Sequence, residues 1–384
     1  MNLSDSTEQR ELRESVRRFL AERAPLTKVR ELMETADGTD PDVWRQASAQ
    51  LGLPGIAVPE EYGGAGFSFA EQAIVLEELG AALFTGPYLA SAVLAAAALL
   101  ASDDTETMKD LLPGIAAGET VATLAFTEDG GSWDPASIRL AATRNATTRN
   151  AATKDTTSGW RLDGHKSFVL DGHSADLILA VAATETDGKL SLFAVTGTAN
   201  GLTRQALPTL DQTRKLARLS FNHTPARLVG EPGAARAVLD HTLDVAAVAL
   251  AAEQLGGAQR ALDMAVQYAR VRHQFGRPIG SFQAIKHRCA DLLLEVESLR
   301  SAVGYAAAAV AAGSTEVPVL APLLKAYASE VYSHVAGENI QIHGGIGFTW
   351  EHDAHLYLKR AKASELFLGD ASYHRERLAT RIGL

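Results

Sequence analysis

The chain has 384 residues, of which 46% are hydrophobic and 21% charged, which favours a soluble globular enzyme of roughly two to three domains and argues against wholesale disorder. Its formal net charge of −10 argues against nucleic acid or an anionic membrane as a partner, so small molecules and protein subunits are expected instead. Cys289 is the only cysteine, which excludes an intrachain disulfide and a cysteine-based metal cluster and favours the cytoplasm as location.

The first predicted elements are helical. Apolar residues recur at four-residue spacing in an amphipathic pattern near the start of the chain: Leu12, Val16 and Leu20. The proline- and glycine-rich stretch 51–68 predicts a loop. The Ala-rich run 88–102 predicts a buried helix, since it is too short to span a bilayer. Together these patterns predict an N-terminal helical domain over residues 1–118.

Residues 119–230 change to short apolar and β-branched runs, which predict strands. The runs are VATLAFTE, KSFVL, LILAVAAT, LSLFAVTG and LARLSFN. Turn pairs such as Asp163-Gly164 and Asp171-Gly172 predict antiparallel hairpins and argue against parallel βαβ winding. A near-repeat, AATRN-ATTRN-AATKD at 141–155, predicts a polar hairpin extension at the surface. We therefore predict a central antiparallel β-domain.

Residues 231–384 return to helical periodicity, with three long apolar patterns and a shorter one after Glu351. Long helices with short connections predict an antiparallel four-helix bundle. The predicted fold class is multi-domain α+β, with helices, a β-domain and a helical bundle in that order.

Five segments, in this order along nearly the whole chain, resemble the acyl-CoA dehydrogenase family. They are VPEEYGGAGFS (58–68), LAFTED (124–129), GHKSFVLDGHSAD (164–176), RHQFGRPIGSFQAIKHRCAD (272–291) and IQIHGGIGFTWEHDAHLYLKRAK (340–362). The resemblance implies FAD as cofactor, dehydrogenation of an acyl-CoA thioester, an electron-transfer flavoprotein as electron acceptor, and a dimer or tetramer of identical or different chains. No metal site is predicted.

The last two segments carry predicted cofactor contacts. Arg272 and Gln274 offer hydrogen-bond donors to a pyrophosphate beside an apolar Phe275. The alternative is a surface arginine with a phenylalanine that plugs the core. Glycine has no Cβ, so Gly344 and Gly345 allow a ligand to approach the backbone closely. The resemblance implies that these segments, with Gln341 and Gln283, reach FAD bound mainly by a neighbouring subunit, and hence at least a dimer.

In the β-domain, the resemblance places Phe126 and Thr127 against the pyrimidine end of the flavin. Phe168 stands where the family commonly has Trp, and a phenyl ring offers less stacking area. Leu170 replaces a common Ser or Thr, which removes one expected hydrogen bond to the flavin. Ser132 is a candidate contact for a phosphate of FAD or of the acyl-CoA.

The catalytic base expected from the resemblance is missing at both of its usual positions. The glutamate that precedes a Gly-Thr pair is Leu368 here, and Asp370 replaces the threonine. The alternative glutamate position on the first bundle helix is Ala246, followed by Ala247 where an arginine is common. Three acidic residues are weak candidates for a displaced base: Glu253, Glu365 and Asp370.

Four functional hypotheses follow. The chain is an active dehydrogenase with a displaced base, or a catalytically silent FAD-binding subunit that joins a glutamate-bearing partner. The resemblance associates the second arrangement with bulky substrates such as steroid side-chain CoA esters, and we favour it because it explains both empty positions. A flavin monooxygenase or oxidase on the same fold, and a flavin-free structural role, are the other two.

Overall fold

In the computed structural model, the described residues are 6–144, 159–185 and 188–384. The helices are α1 (Thr7–Arg23), α2 (Leu26–Met33), α3 (Pro41–Leu51), α4 (Phe69–Ala81), α5 (Ala96–Leu100), α6 (Thr105–Ala116), α7 (Ala235–Val271), α8 (Gln283–Ala311), α9 (Val317–His343), α10 (Ala354–Leu366) and α11 (Ala371–Arg381). The strands are β1 (Ala122–Ala125), β2 (Ala141–Arg144), β3 (Trp160–Leu170), β4 (Leu177–Thr184), β5 (Leu190–Thr196), β6 (Leu202–Leu207), β7 (Leu216–Val229), β8 (His273–Gln274) and β9 (Arg277–Pro278).

The chain divides into two compact units. The first unit comprises Met1–Leu32, Phe67–Thr85 and Asp244–Leu384, and the second comprises Met33–Gly66 and Gly86–Leu243. Each unit is assembled from separated stretches of chain, whereas the division predicted after residues 118 and 230 is continuous. Those domain boundaries stay a prediction.

Helices α1 and α4 of the first unit begin at capping boxes. Ser6 accepts a hydrogen bond from the Gln9 N–H at 3.2 Å, and the Gln9 side chain accepts one from the Ser6 N–H at 3.0 Å. Ser68 and Glu71 form the equivalent box at α4. Such reciprocal bonds satisfy N–H groups that a helix start leaves without partners. The predicted N-terminal amphipathic helix is confirmed.

Helices α4 and α7 cross with their backbones almost in contact. A Cβ atom added to Gly80 would lie 2.0 Å from the carbonyl oxygen of Glu253, and one added to Gly256 would lie 1.7 Å from that of Glu77. A side chain at either glycine would therefore separate the two helices. This crossing fixes the part of α7 that carries Ala246 and Glu253.

The bundle helices of the first unit agree with the prediction and add one element. The predicted short helix after Glu351 is α10, and α11 follows it and packs against α9. Helix α11 was not predicted because its sequence, ASYHRERLATR, is polar and buries only His374. Asp370 starts it by accepting a hydrogen bond from the Tyr373 N–H at 2.8 Å.

Within the described residues of the second unit, seven strands form one sheet. Strands β4, β2, β3, β7 and β5 pair in that order, and β5 pairs back to β4, so the five close a ring. Strands β1 and β6 extend it from β4 and β7. The predicted antiparallel β-domain is confirmed, with the correction that β1–β4 and β2–β4 are parallel pairs. Closing a ring removes exposed sheet edges.

Two strands of this sheet escaped prediction. Strand β6, LTRQAL, is exposed at its four central residues, half-buried at both ends, and shows no apolar alternation. Strand β2 is the start of the near-repeat at 141–155, whose first four residues pair with β3 and β4 rather than forming a surface extension. The rest of the repeat lies outside the described residues.

The helical part of the second unit contains the predicted buried run. Its first half, Leu89–Ala95, is a π-helix that continues into α5, and all seven residues are buried. The loop predicted at 51–68 contains two short 3₁₀ turns, Leu53–Gly55 and Glu60–Tyr62. Across the described ranges, no helix combines the length and hydropathy that crossing a bilayer requires.

Candidate functional site

The chain just beyond β1 presents a buried backbone donor. The Thr127 hydroxyl donates to the Ser167 carbonyl, and the Thr127 carbonyl accepts from the Ser167 N–H at 3.0 Å. The Thr127 N–H has no acceptor among the described residues, although Thr127 is only 3% exposed. Because buried N–H groups in folded proteins are almost always paired, this donor fits a ligand acceptor such as a flavin heteroatom. The Thr127 hydroxyl proton, in contrast, is already used.

Phe168 lies in a bulge of strand β3. The pairing of β3 with β7 shifts register between Lys166 and Val169, and Phe168 has a φ of 58°. A positive φ is strained for an aromatic residue and is commonly found where structure serves function. The Phe168 ring lies beside Gly131, at 3.8 Å from where a Cβ would be. The bulge therefore sets the direction of the ring that the resemblance predicts to contact the flavin.

The remaining predicted residues of the second unit keep their assignments as predictions. Phe126 is buried, and its ring centroid lies 5.8 Å from that of Trp133. The Ser132 hydroxyl accepts from the Asp134 N–H at 3.2 Å, so its own proton remains available to a phosphate. Leu170 is buried and offers no side-chain donor, as expected from the predicted loss of one flavin hydrogen bond.

A buried ion pair, which was not predicted, joins strand β3 to the segment that follows β1. The ammonium of Lys166, which is 0% exposed, donates to the Phe126 carbonyl at 3.0 Å and to Glu128 at 2.9 Å. Burial lowers the pKa of Lys166 to about 8, against the opposing effect of Glu128. The available signal was a lysine, Lys166, in the predicted strand run KSFVL.

In the first unit, the predicted pyrophosphate-binding residues lie on the small hairpin of β8 and β9. Phe275 at its tip has a φ of 53° and is 90% exposed, which excludes the alternative of a core plug within this chain. The side chains of Arg272 and Gln274 have no hydrogen-bond partner in the part of the chain that the structure describes. The hairpin therefore presents donors and an aromatic ring outward.

The glycine segment after α9 is open on the side that a ligand would occupy. Gly344 has a φ of 64°, and a Cβ added to Gly344 or Gly345 would meet no described atom within 4 Å. Gln341 is exposed at the end of α9. Gln283, at the start of α8, places its amide nitrogen 3.3 Å from His287 Nε2. This donor set and open backbone fit a dinucleotide.

The structure brings the hairpin and the glycine segment to one end of the bundle. Ile342 packs with Ala265 and Ala269 of α7 in one apolar cluster. The ring of Tyr268, four residues before Arg272, lies 4.3 Å from the ring of His343. Two segments far apart in sequence thus share one surface, as binding of a common ligand requires.

Both usual positions of the base are apolar and buried. Leu368 lies between α10 and α11 with a φ of 62° and is 4% exposed. Its carbonyl accepts a hydrogen bond from His374 Nε2 at 3.1 Å. Ala246 and Ala247 on α7 are fully buried. Neither an isobutyl nor a methyl group can accept a proton.

The three candidate substitutes for the base are all engaged elsewhere. Glu253 forms a buried ion pair with Arg360 at 2.8 Å. Asp370 caps α11. Burial raises the pKa of Glu365, but hydrogen bonds from Lys362 and Ser333 outweigh this effect and leave it below its ordinary value. Each carboxylate therefore has a structural role, and accepting a proton from a substrate would disturb it.

Comparison with known proteins agrees with these features. The profile described as Acyl-CoA dehydrogenase, N-terminal domain, matches residues 6–119, and that described as Acyl-CoA dehydrogenase, C-terminal domain, matches residues 235–383. Acyl-CoA dehydrogenase IpdE2 of Mycolicibacterium smegmatis is 37% identical over 379 residues, which cover 98% of this chain and 99% of that protein.

Two solved structures are similar over nearly the full length. A variant of the Tcur3481-Tcur3483 steroid ACAD is 33% identical with a TM-score of 0.86 and 98% coverage of both chains. The ChsE4-ChsE5 complex from Mycobacterium tuberculosis is 29% identical with a TM-score of 0.88, covering 100% of this chain and 99% of that chain.

These matches confirm the resemblance, and with it the fold, FAD as the cofactor of the family, and an oxidoreductase that acts on acyl-CoA. The roles of individual site residues stay predictions. Because both ends of the chain match and a relative of equal length shares more than a third of its residues, this chain belongs to the acyl-CoA dehydrogenase family.

Proposed function

We propose that this chain is a FAD-binding subunit of a hetero-oligomeric acyl-CoA dehydrogenase and that a partner chain supplies the catalytic base. The observation that carries the proposal is the burial of Leu368 and Ala246 at the two positions where the family keeps its glutamate. The engagement of Glu253, Glu365 and Asp370 in structural contacts supports it further.

The reaction needs two acceptors. When bound, FAD accepts the hydride from Cβ of the acyl group, and a carboxylate must accept the proton from Cα. In the proposed complex, this chain binds and orients the cofactor, whereas proton removal belongs to a glutamate of the partner.

The proposed cofactor contacts lie in both units. Those of the second unit face the flavin ring and a phosphate: Phe126, Thr127, Ser132 and Phe168. Those of the first unit reach FAD held mainly by a neighbouring subunit: Arg272, Gln274, Phe275, Gln283, Gln341, Gly344 and Gly345. The outward-facing hairpin, with donors that have no partner in the described chain, supports a cofactor shared between subunits.

The partner and substrate are proposed from similar proteins. Two of the similar solved structures are named as pairs of chains, and one is described as a steroid ACAD. We therefore propose a glutamate-bearing chain of the same family as partner and the CoA thioester of a bulky, steroid-like acid as substrate. An electron-transfer flavoprotein in the cytoplasm would reoxidise the complex.

The test is to express the protein alone and together with a glutamate-bearing chain of the family from the same genome. Bound FAD and its bleaching by a panel of acyl-CoA thioesters are measured without oxygen. We expect bleaching from the pair and none from the lone protein. Full bleaching of the flavin in the lone protein would contradict the proposal. Rapid oxygen consumption by the reduced pair would favour an oxidase or monooxygenase instead.

A further inference from the structure

Among the described residues of the second unit, the most deeply buried cation is Lys166, which contacts the segment of the proposed flavin contact. Lys166 on β3 is completely buried, and its ammonium joins two points of the segment that follows β1, the Phe126 carbonyl and the Glu128 carboxylate. Burying a charge is costly unless it is paired and hydrogen-bonded. A lysine kept here for packing alone would be replaceable by any apolar residue of its size.

The contact fixes the direction of one peptide group. The Phe126 carbonyl and the Thr127 N–H belong to the same planar trans peptide and so point in opposite directions. Because Lys166 holds the carbonyl from one side, the Thr127 N–H must face the other. Ser167, the next residue of β3, holds the Thr127 carbonyl and hydroxyl, which leaves the N–H as the donor without an acceptor among the described residues.

The carboxylate of the pair is held independently of the lysine. Glu128 also accepts hydrogen bonds from the Arg139 N–H at 2.8 Å and the Leu140 N–H at 2.7 Å. Removing the ammonium would therefore leave a fixed negative charge close to the Phe126–Thr127 peptide. Removing only the negative charge would leave the hydrogen bond from Lys166 to the Phe126 carbonyl in place, and the ammonium keeps its charge in a solution acidic enough to offset the loss of Glu128, which raises the pKa of Lys166.

We infer that Lys166 is a positioning residue that turns the Thr127 N–H toward the pyrimidine ring of the flavin and that the Lys166–Glu128 pair sets the electron affinity of the cofactor. The inference rests on the proposed function, because it takes the flavin to lie at Thr127. Reduction adds electron density to the pyrimidine ring, so a nearby positive charge favours the reduced cofactor and a negative charge opposes it.

The test compares K166M with E128Q in the FAD-loaded complex with the partner. For K166M we expect FAD to dissociate about tenfold more readily, the equivalent of roughly 1.4 kcal/mol, and the midpoint potential of the flavin to become more negative. For E128Q, measured at about pH 6 so that the buried Lys166 stays protonated without its carboxylate partner, we expect the potential to become more positive, with little change in FAD affinity. K109M, a lysine-to-methionine change on the exposed face of α6, is the matched control and should alter neither quantity.

The opposite signs separate this role from simple support of the fold, since loss of stability alone would weaken both variants alike. Potentials that do not move, or that move in the same direction, would overturn the inference. If K166M does not fold, the E128Q potential decides: an unchanged or more negative value overturns it. Absence of FAD from the wild-type complex would instead refute the proposed function.

Discussion

At the scale of single residues, the loop that carries Leu368, the position where the resemblance predicts a catalytic carboxylate, has an unusual backbone conformation. Leu368 sits at a positive φ of 62°, although a left-handed conformation costs a residue with a Cβ about 1–2 kcal/mol. Lys325 below it is fully buried and donates to the carbonyls of Glu365 and Gly369 at 3.3 and 3.1 Å. The loop is thus held in shape by its neighbours rather than by the preference of leucine.

A variant of Glu253 tests whether this residue has a structural or a catalytic role. Replacing Glu253 removes the buried carboxylate that pairs with the Arg360 guanidinium, so E253L should lower the free energy of unfolding by about 3 kcal/mol. The double variant E253L/R360L should recover most of this loss, since both charges are then gone. Urea denaturation measures both. Turnover of the complex per folded protein should remain unchanged, and its loss in E253L would identify Glu253 as a base instead.

At the scale of elements, the helices and strands that could be predicted are those with a periodic pattern of apolar residues. The long bundle helices and β3, β4, β5 and β7 were predictable because alternating or helical apolar patterns mark them. Helix α11 and strand β6 were not, because tertiary contacts rather than their own apolar pattern hold them in place. The parallel pairing of β1 with β4 joins strands 52 or more residues apart, and no local turn signal specifies such a contact.

The crossing of α4 and α7 gives a prediction at the same scale. G256A would place a Cβ 1.7 Å from the Glu77 carbonyl oxygen and should destabilise the protein by about 1–3 kcal/mol, as overpacking does. G337A in α9 is the matched control, because a Cβ there meets no described atom within 4 Å. It should be neutral or stabilising by up to about 1 kcal/mol, the helix preference of alanine over glycine. Equal melting temperatures for both variants would contradict the close crossing.

At the scale of the whole molecule, buried histidines make stability depend on pH. Burial lowers the pKa of His374 from 6.5 to about 3, and repulsion by Lys325 and Arg377 adds to this. Above pH 6.5 the ring is neutral in the folded and the unfolded chain. Between pH 6.5 and 3 the unfolded chain binds the proton first, so the free energy of unfolding falls as the solution is acidified through this window.

The variant H374Q isolates that contribution, since glutamine donates a hydrogen bond without titrating. Urea denaturation at pH 6.5 and at about pH 4 should show a smaller loss of stability for H374Q than for the wild type. His355, whose pKa burial lowers to about 4, is present in both proteins and forms a common background. Parallel losses in the two proteins would contradict the assignment to His374.

Sequence allowed the candidate cofactor contacts of each unit to be predicted, but not the ion pairs that support them. Thr127, Arg272 and Gln341 are predicted contacts because the segments that contain them resemble those of the acyl-CoA dehydrogenase family. The contacts of Lys166 and the Glu253–Arg360 pair were not predicted, because a single charged residue in a strand or helix does not reveal its partner. The absence of the glutamate stays a prediction of the resemblance, since a leucine or alanine at a base position excludes proton transfer without any geometry.

The central claim, that this chain binds the cofactor of a dehydrogenase without possessing its base, is tested most directly by hydrogen exchange at the substrate. The FAD-loaded protein is incubated alone with an acyl-CoA thioester in heavy water, and deuterium at Cα is measured by mass spectrometry. We expect no exchange above buffer for the wild type or L368Q, and exchange for L368E, which returns a carboxylate to the loop. Exchange by the wild type that disappears in E253Q, E365Q or D370N would contradict the account.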